Sequence, residues 1–251
     1  MGAAHQPDHL APRSAPRRVF LLSPANASGV RARMIVSRRA KFLLAQRLRE
    51  DGLPLGEIFT FVSGLYFRGK LAYARAFADG PPGIPGAFVI TACRGLIPPE
   101  TSFTLRDLRE ISSVPIEPSD ARYRIPLDRD ATALSRNMGP GCEVVLLGSI
   151  ATSKYVEPLL GIFGERLVFP AEFAGRGDMS RGGLMLRAAR EGCPLTYVPV
   201  ATAARHGRRP PKLPKIRGSA TGVRAGTMDT ATVNIAIVNS AGTIAREEEI
   251  Q

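Results

Sequence analysis

Tryptophan is absent from this 251-residue chain, and aromatic residues make up only 6% of it. Cysteine and histidine occur three times each. Cys93, Cys142 and Cys193 stand far apart, with no CxxC pair and no histidine close by. That spacing argues against a disulfide framework or a zinc site, and a reducing cytoplasm is the expected setting. Each cysteine sits at or beside an apolar run, as a small buried hydrophobe does. His5 and His9 lie near the start and His206 opens a basic stretch. None pairs visibly with a serine or cysteine, which argues against a hydrolase triad. No apolar run reaches the roughly 18–20 residues that a membrane helix needs, so no membrane span is expected. The start is rich in Ala, Pro, Arg and His, without an apolar core before Val19. It therefore reads as a disordered tail over residues 1–17 rather than a secretory signal. Neither a metal nor a cofactor is called for by these residues.

What is present is a basic, core-forming chain. Hydrophobic residues make up 44%, and the formal net charge is +12. A large positive charge attracts phosphates and other anionic partners. Arg31, Arg33, Arg38, Arg39, Lys41, Arg47 and Arg49 crowd one early segment. Arg205, Arg208, Arg209, Lys212, Lys215, Arg217 and Arg224 crowd a late one, and Glu247–Glu249 reverse the sign. A solvated basic face is the bland alternative for both.

The apolar pattern predicts strands over Arg18–Ser23, Ala87–Ala92, Glu143–Leu147, Arg166–Phe169 and Leu195–Val200. Helices are predicted over Ser37–Glu50, Gly64–Ala78, Leu105–Ile111, Pro126–Met138, Ser153–Phe163 and Leu184–Glu191. Strands alternating with helices across short Gly-bearing loops predict an α/β domain. The expected form is Rossmann-like: a mainly parallel sheet, helices on both faces, flexible tails at both ends. The domain should span residues 18–202. Residues 203–251 read as a basic, Pro/Gly-rich tail with one further β-prone segment, Thr230–Asn239.

In such sheets ligands bind beyond the carboxyl ends of the strands, so those loops carry the candidates. The richest is Glu172–Gly183. Gly175 and Gly177 free the backbone to present N–H groups, and Arg176 and Arg181 add planar, fixed charge for a phosphate. Glu172 and Asp178 are candidates for a catalytic carboxylate pair. Asp178 and Ser180 serve equally well as helix caps. The loop lacks the ending of a Walker A motif. A second candidate is Gly148–Tyr155. Gly148 permits close approach, Ser149 can bond a sugar or phosphate, and Tyr155 can stack on a base. Ser23 and Asn26 line the loop after the first strand, and Arg94 follows the second.

The segment Val89–Thr101 resembles the strand, Ser/Thr-Ala-x-x-Gly-Leu and Pro pattern of a family of bacterial and phage domains of unknown function. Those domains are distantly similar to accessory regions of tRNA-guanine transglycosylase relatives. Glu143–Tyr155 resembles their second strand and helix, so the likeness covers about Ala87–Phe169. It implies a Rossmann-like fold and a link to nucleobase or nucleic-acid processing, and it assigns no catalytic residue. The combined expectation is a nucleotide- or nucleic-acid-directed enzyme of the glycosyl or base-exchange type. Its partner would be a nucleotide or other phosphorylated ligand. A non-catalytic nucleic-acid-binding protein and a nucleotide-sensing module are the alternatives.

Overall fold

The computed structural model describes residues 15–27, 29–211 and 213. The expected first tail up to residue 14 and the β-prone segment Thr230–Asn239 lie outside them. In chain order, β1 (Arg17–Leu22) is followed by α1 (Val30–Val36), α2 (Leu43–Glu50), β2 (Leu53–Pro54), α3 (Leu55–Ser63), α4 (Leu65–Phe77) and β3 (Ala87–Ile90). Next come β4 (Leu96–Ile97), β5 (Ser102–Phe103), α5 (Leu105–Ser113), α6 (Ala121–Asn137) and β6 (Cys142–Leu147). The last elements are α7 (Ser153–Phe163), β7 (Leu167–Pro170), α8 (Asp178–Glu191) and β8 (Tyr197–Pro199).

The fold is α/β, with a six-stranded sheet in the order β4-β3-β1-β6-β7-β8. The four inner strands are parallel, and β4 and β8 run antiparallel at the two edges. The inner strands carry continuous apolar runs because both faces of the sheet are covered. Val19, Phe20, Leu21 and Leu22 in β1 are wholly buried, as are Val144 to Leu147 in β6. β2 and β5 form a separate antiparallel pair.

The strand order sets where the chain opens. After β1 the chain crosses to β3 on one side, and after β6 it crosses to β7 on the other. Right-handed crossovers then place α3 and α4 on one face of the sheet and α7 on the opposite face. The ends of β1 and β6 therefore part at a switch point, the usual ligand crevice of an open parallel sheet.

Several helices differ from the sequence expectation: α3 has no predicted counterpart, α2 starts six residues later than expected, at Leu43, and α6 five residues earlier, at Ala121. The short α1 has no counterpart in the apolar pattern, because Arg31 and Arg33 interrupt its spacing. The helix expected from Leu184 starts six residues earlier, at Asp178. Gly182 and Gly183, which read as loop residues, lie inside it. Their low helix propensity is offset by packing: a Cβ on Gly182 would come within 2.7 Å of the Leu65 carbonyl oxygen. A Cβ on Gly69 of α4 would likewise sit 2.7 Å from the Gly182 carbonyl oxygen. The two backbones touch because neither residue has a side chain. Gly69→Ala is expected to destabilise the protein by about 1–3 kcal/mol through overpacking. Urea unfolding of the variant checks this, and an unchanged midpoint would show that the helices can part at no cost.

Candidate functional site

The buried run of β1 ends at Ser23, a polar residue that is itself buried. Its N–H donates to the Leu147 carbonyl at 3.1 Å, which extends the ladder to the end of β6. Gly148 follows at that end. A Cβ there would lie 3.0 Å from Ser23 Cβ and 3.2 Å from Ser23 Oγ, so a side chain at this position would press on Ser23.

The carbonyl and hydroxyl of Ser23 meet one side chain. Lys70 Nζ donates to Ser23 O at 2.9 Å and to Ser23 Oγ at 2.6 Å. Lys70 sits on the core-facing side of α4, in phase with Tyr66, Phe67, Tyr73 and Ala74, and is only 1% exposed. Its nitrogen lies 3.9 Å from the centre of the Tyr66 ring. A ring face attracts an ammonium group but replaces little of the lost hydration. Burial pulls the Lys70 pKa down from 10.5 to about 7. The Asp178 carboxylate partly opposes that shift, and the Arg181 guanidinium adds to it. Desolvation disfavours the charged form of a buried amine, which is the sense observed.

Two phenols also belong to this centre. The Tyr66 hydroxyl is buried and finds no hydrogen-bond partner of good geometry. Burial pushes its pKa up to about 12, against the pull of the Arg181 cation. The Tyr155 phenol is also raised, first by burial and then by its neighbours Tyr66 and Asp178. Tyr66, Lys70, Tyr155, Asp178 and Arg181 thus share one electrostatic neighbourhood.

A cavity of about 460 Å³ lies over the ends of β1 and β3; it begins at Pro24, next to Ser23, and neither Ser23 nor Lys70 is among its walls. Pro24 to Ala27, Thr91, Ala92 and Lys154 are among its walls. Lys154 lies in the first turn of α7, which has no acidic residue there and no side-chain cap from Thr152. A cation at the positive end of a helix dipole is unfavourable unless an anion joins it. The cavity can therefore hold an anionic group near Lys154, with Asn26 on the opposite loop.

Among the residues singled out from the sequence, Ser23, Gly148, Tyr155, Asp178 and Arg181 come together around Lys70. Others are taken up locally. Ser149 Oγ accepts from Ala151 N–H at 3.3 Å in the strand-to-helix turn. Arg94 is bound by Asp107 and Glu110, each at 2.6 Å, and lies over the Phe103 ring. Arg176 donates to the Glu172 carbonyl at 3.0 Å and to Ser180 Oγ at 3.2 Å. Arg181 donates to the Phe173 carbonyl through two nitrogens. Arg176 therefore braces the loop that carries it, and Arg181 ties α8 back to Phe173 before that loop.

Glu172 is not among the residues around the cavity that Asp178 borders, so the expected carboxylate pair is not formed there. One carboxylate oxygen of Glu172 accepts from Thr196 N–H at 2.9 Å, and the other is buried without a partner. The cavity that Asp178 borders is a different one from the first, of about 600 Å³, shared with Gly175, Gly177 and Arg209. Gly175 has a positive φ and packs against the Arg208 carbonyl, so residues after His206 lie across this loop. Gly177 is the N-cap of α8.

Lys70, Tyr66 and Lys154 do not stand out in the sequence. Lys70 leaves one signal there: a cation standing in the apolar phase of a helix, four residues after Tyr66 and one before Leu71. A buried lysine needs partners, and only the fold shows that Ser23 is one. Among the described residues no helix is long and apolar enough to cross a membrane. Comparison with protein-family models, curated proteins and solved structures returns no match.

Proposed function

We propose that this chain is a nucleotide- or nucleic-acid-directed enzyme of the glycosyl or base-exchange type. Its reaction centre would be the Lys70–Ser23 pair. The observation that supports this most is a buried amine, tuned to about pH 7, bonded to a strand-end serine at the switch point of a parallel sheet. Strongly shifted groups gather at functional sites, because a proton donor or acceptor works best near the ambient pH.

Base exchange breaks the bond between sugar carbon and base nitrogen. The bonding electrons leave with the base, which must gain a proton. Ser23 hydroxyl would deliver it, replenished from the Lys70 ammonium behind it. The sugar carbon becomes electron-deficient as the bond breaks, while the Asp178 carboxylate, which borders the other cavity, would act only by favouring the charged form of Lys70. An incoming base or water then adds to the carbon and returns a proton to Lys70. Tyr155 would flank the base, and Lys154 would hold a phosphate.

The expected result is exchange of a mass-labelled free base into nucleosides, nucleotides or oligonucleotides, followed by mass spectrometry. A ligand that stabilises the protein in a thermal-shift screen yet returns unchanged would instead identify a nucleotide-sensing module. The near-complete burial of Lys70 speaks for that second reading. No stabilisation by any nucleotide or oligonucleotide would defeat both.

A further inference from the structure

The segment from α1 to α2 carries seven cations, Arg31 to Arg49, and no acidic residue before Glu50. The structure shows how they are divided. Arg49 donates to the Ser37 and Ala40 carbonyls and so fixes the turn between the helices. Arg31 donates to the Phe61 carbonyl, and Arg47 pairs with Glu57. Arg38, Arg39 and Lys41 stand exposed on the turn itself, and none forms an ion pair among the described residues. Three cations are thus held out on a pinned turn.

Apolar groups flank them. Val30, Met34 and Leu43 are 65%, 49% and 69% exposed, and they are three of the five large hydrophobic residues most exposed to solvent among the described residues. Beside Leu43, Phe42 and Phe61 stack with ring centres 5.3 Å apart, and both are half-buried. The hairpin is also continuous with the cavity. Gly29, the N-cap of α1, donates to the carbonyl of Asn26, which lines that cavity.

We propose that the α1–α2 hairpin binds a single-stranded nucleic acid and presents one of its bases to the cavity beyond β1. This rests on the reaction proposed above and narrows its substrate from a free nucleotide to a polymer. Phosphates would meet Arg38, Arg39 and Lys41, and unstacked bases would meet Leu43, Met34 and the Phe42–Phe61 edge. Sequence-tolerant strand binding combines these two elements, a cationic track and apolar or aromatic faces for the bases. A single strand is favoured over a duplex because a paired, stacked base cannot enter a pocket without being extruded. An anionic membrane is the less favoured partner. The exposed apolar groups are scattered over two short helices and do not form one continuous face, as an interfacial helix requires.

The test uses the full chain and fluorescence anisotropy with a labelled single-stranded oligonucleotide, as RNA and as DNA. The variant Arg38→Glu, Arg39→Glu, Lys41→Glu is compared with a control of equal charge change, Arg106→Glu, Arg109→Glu, Arg136→Glu, on exposed sites of α5 and α6. The hairpin variant should bind at least about tenfold more weakly than the control. Its plot of log affinity against log salt should flatten by about 2, at roughly 0.7 for each single-strand phosphate that is no longer neutralised. Leu43→Ser should weaken binding with the salt slope unchanged. If charge reversal impairs folding, the Gln series at the same three positions reads the same interactions. Equal weakening in hairpin and control variants would overturn the proposal. So would tight binding to phosphatidylcholine vesicles containing phosphatidylserine with none to either oligonucleotide. Strand binding and base exchange are both measured on the wild-type protein. Hairpin-dependent binding without base exchange would therefore sink the reaction and leave this surface standing.

Discussion

Lys70→Met is expected to lower base exchange by about 10²–10⁴-fold, the usual contribution of a positioned acid or base. Methionine fills much of the same volume and keeps the apolar packing against the Tyr66 and Phe67 rings. It has no proton to give and no lone pair of comparable basicity. Ser23→Ala should cost about as much, because the hydroxyl is the step between Lys70 and the ligand. The double variant should be little worse than either single one, since groups that act as a unit lose their effect together. Multiplicative losses would mean that the two residues act separately. Ligand-induced thermal stabilisation should survive in Lys70→Met, because Lys70 would reach the ligand only through Ser23.

The second large effect is on stability. Burial lowers the Lys70 pKa from 10.5, the value of an exposed amine, to about 7 in the folded chain. Between those values the unfolded chain binds the proton and the native protein does not. Stability therefore rises with pH over that window and is lowest, as far as Lys70 is concerned, below pH 7. The full span corresponds to at most roughly 5 kcal/mol. Lys70→Met lacks this dependence. Urea unfolding between about pH 6 and 8.5 should show wild type gaining on the variant, with a slope approaching about 1.4 kcal/mol per pH unit above pH 7. Stopping there avoids the raised thiols Cys93 and Cys142 and the raised phenols of Tyr66 and Tyr155, which act at higher pH. A difference that stays flat across the range would mean that Lys70 is not tuned by burial.

The inner strands were legible because burial on both faces writes itself as unbroken apolar runs. Ala87–Ala92 and Glu143–Leu147 predict β3 and β6 to within two residues. The edge strand β4 is two residues long and leaves no comparable pattern. The start of α8 was hidden for a different reason. Gly182 lowers local helix propensity. Only its close approach to Leu65 and Gly69 explains why it stands in a helix. The candidate site was half legible. Strand-end reasoning finds Ser23, Gly148, Tyr155, Asp178 and Arg181, because those positions follow from topology. It passes over Lys70, which lies mid-helix and forty-seven residues from its serine. It also overvalues Arg94 and Arg176, whose partners are set by the folded chain and not by spacing.

One side chain changing charge near neutrality carries the proposed reaction. The chain holds only five lysines, Lys41, Lys70, Lys154, Lys212 and Lys215, so their side-chain carbon signals can be followed singly. A proton–carbon NMR titration of lysine-labelled protein should show one Cε signal moving with a midpoint near 7, and Lys70→Met should remove it. If all five lysines keep their charge up to about pH 10, the usual range of an exposed amine, the Lys70–Ser23 pair is a structural brace and the proposed proton transfer has no carrier.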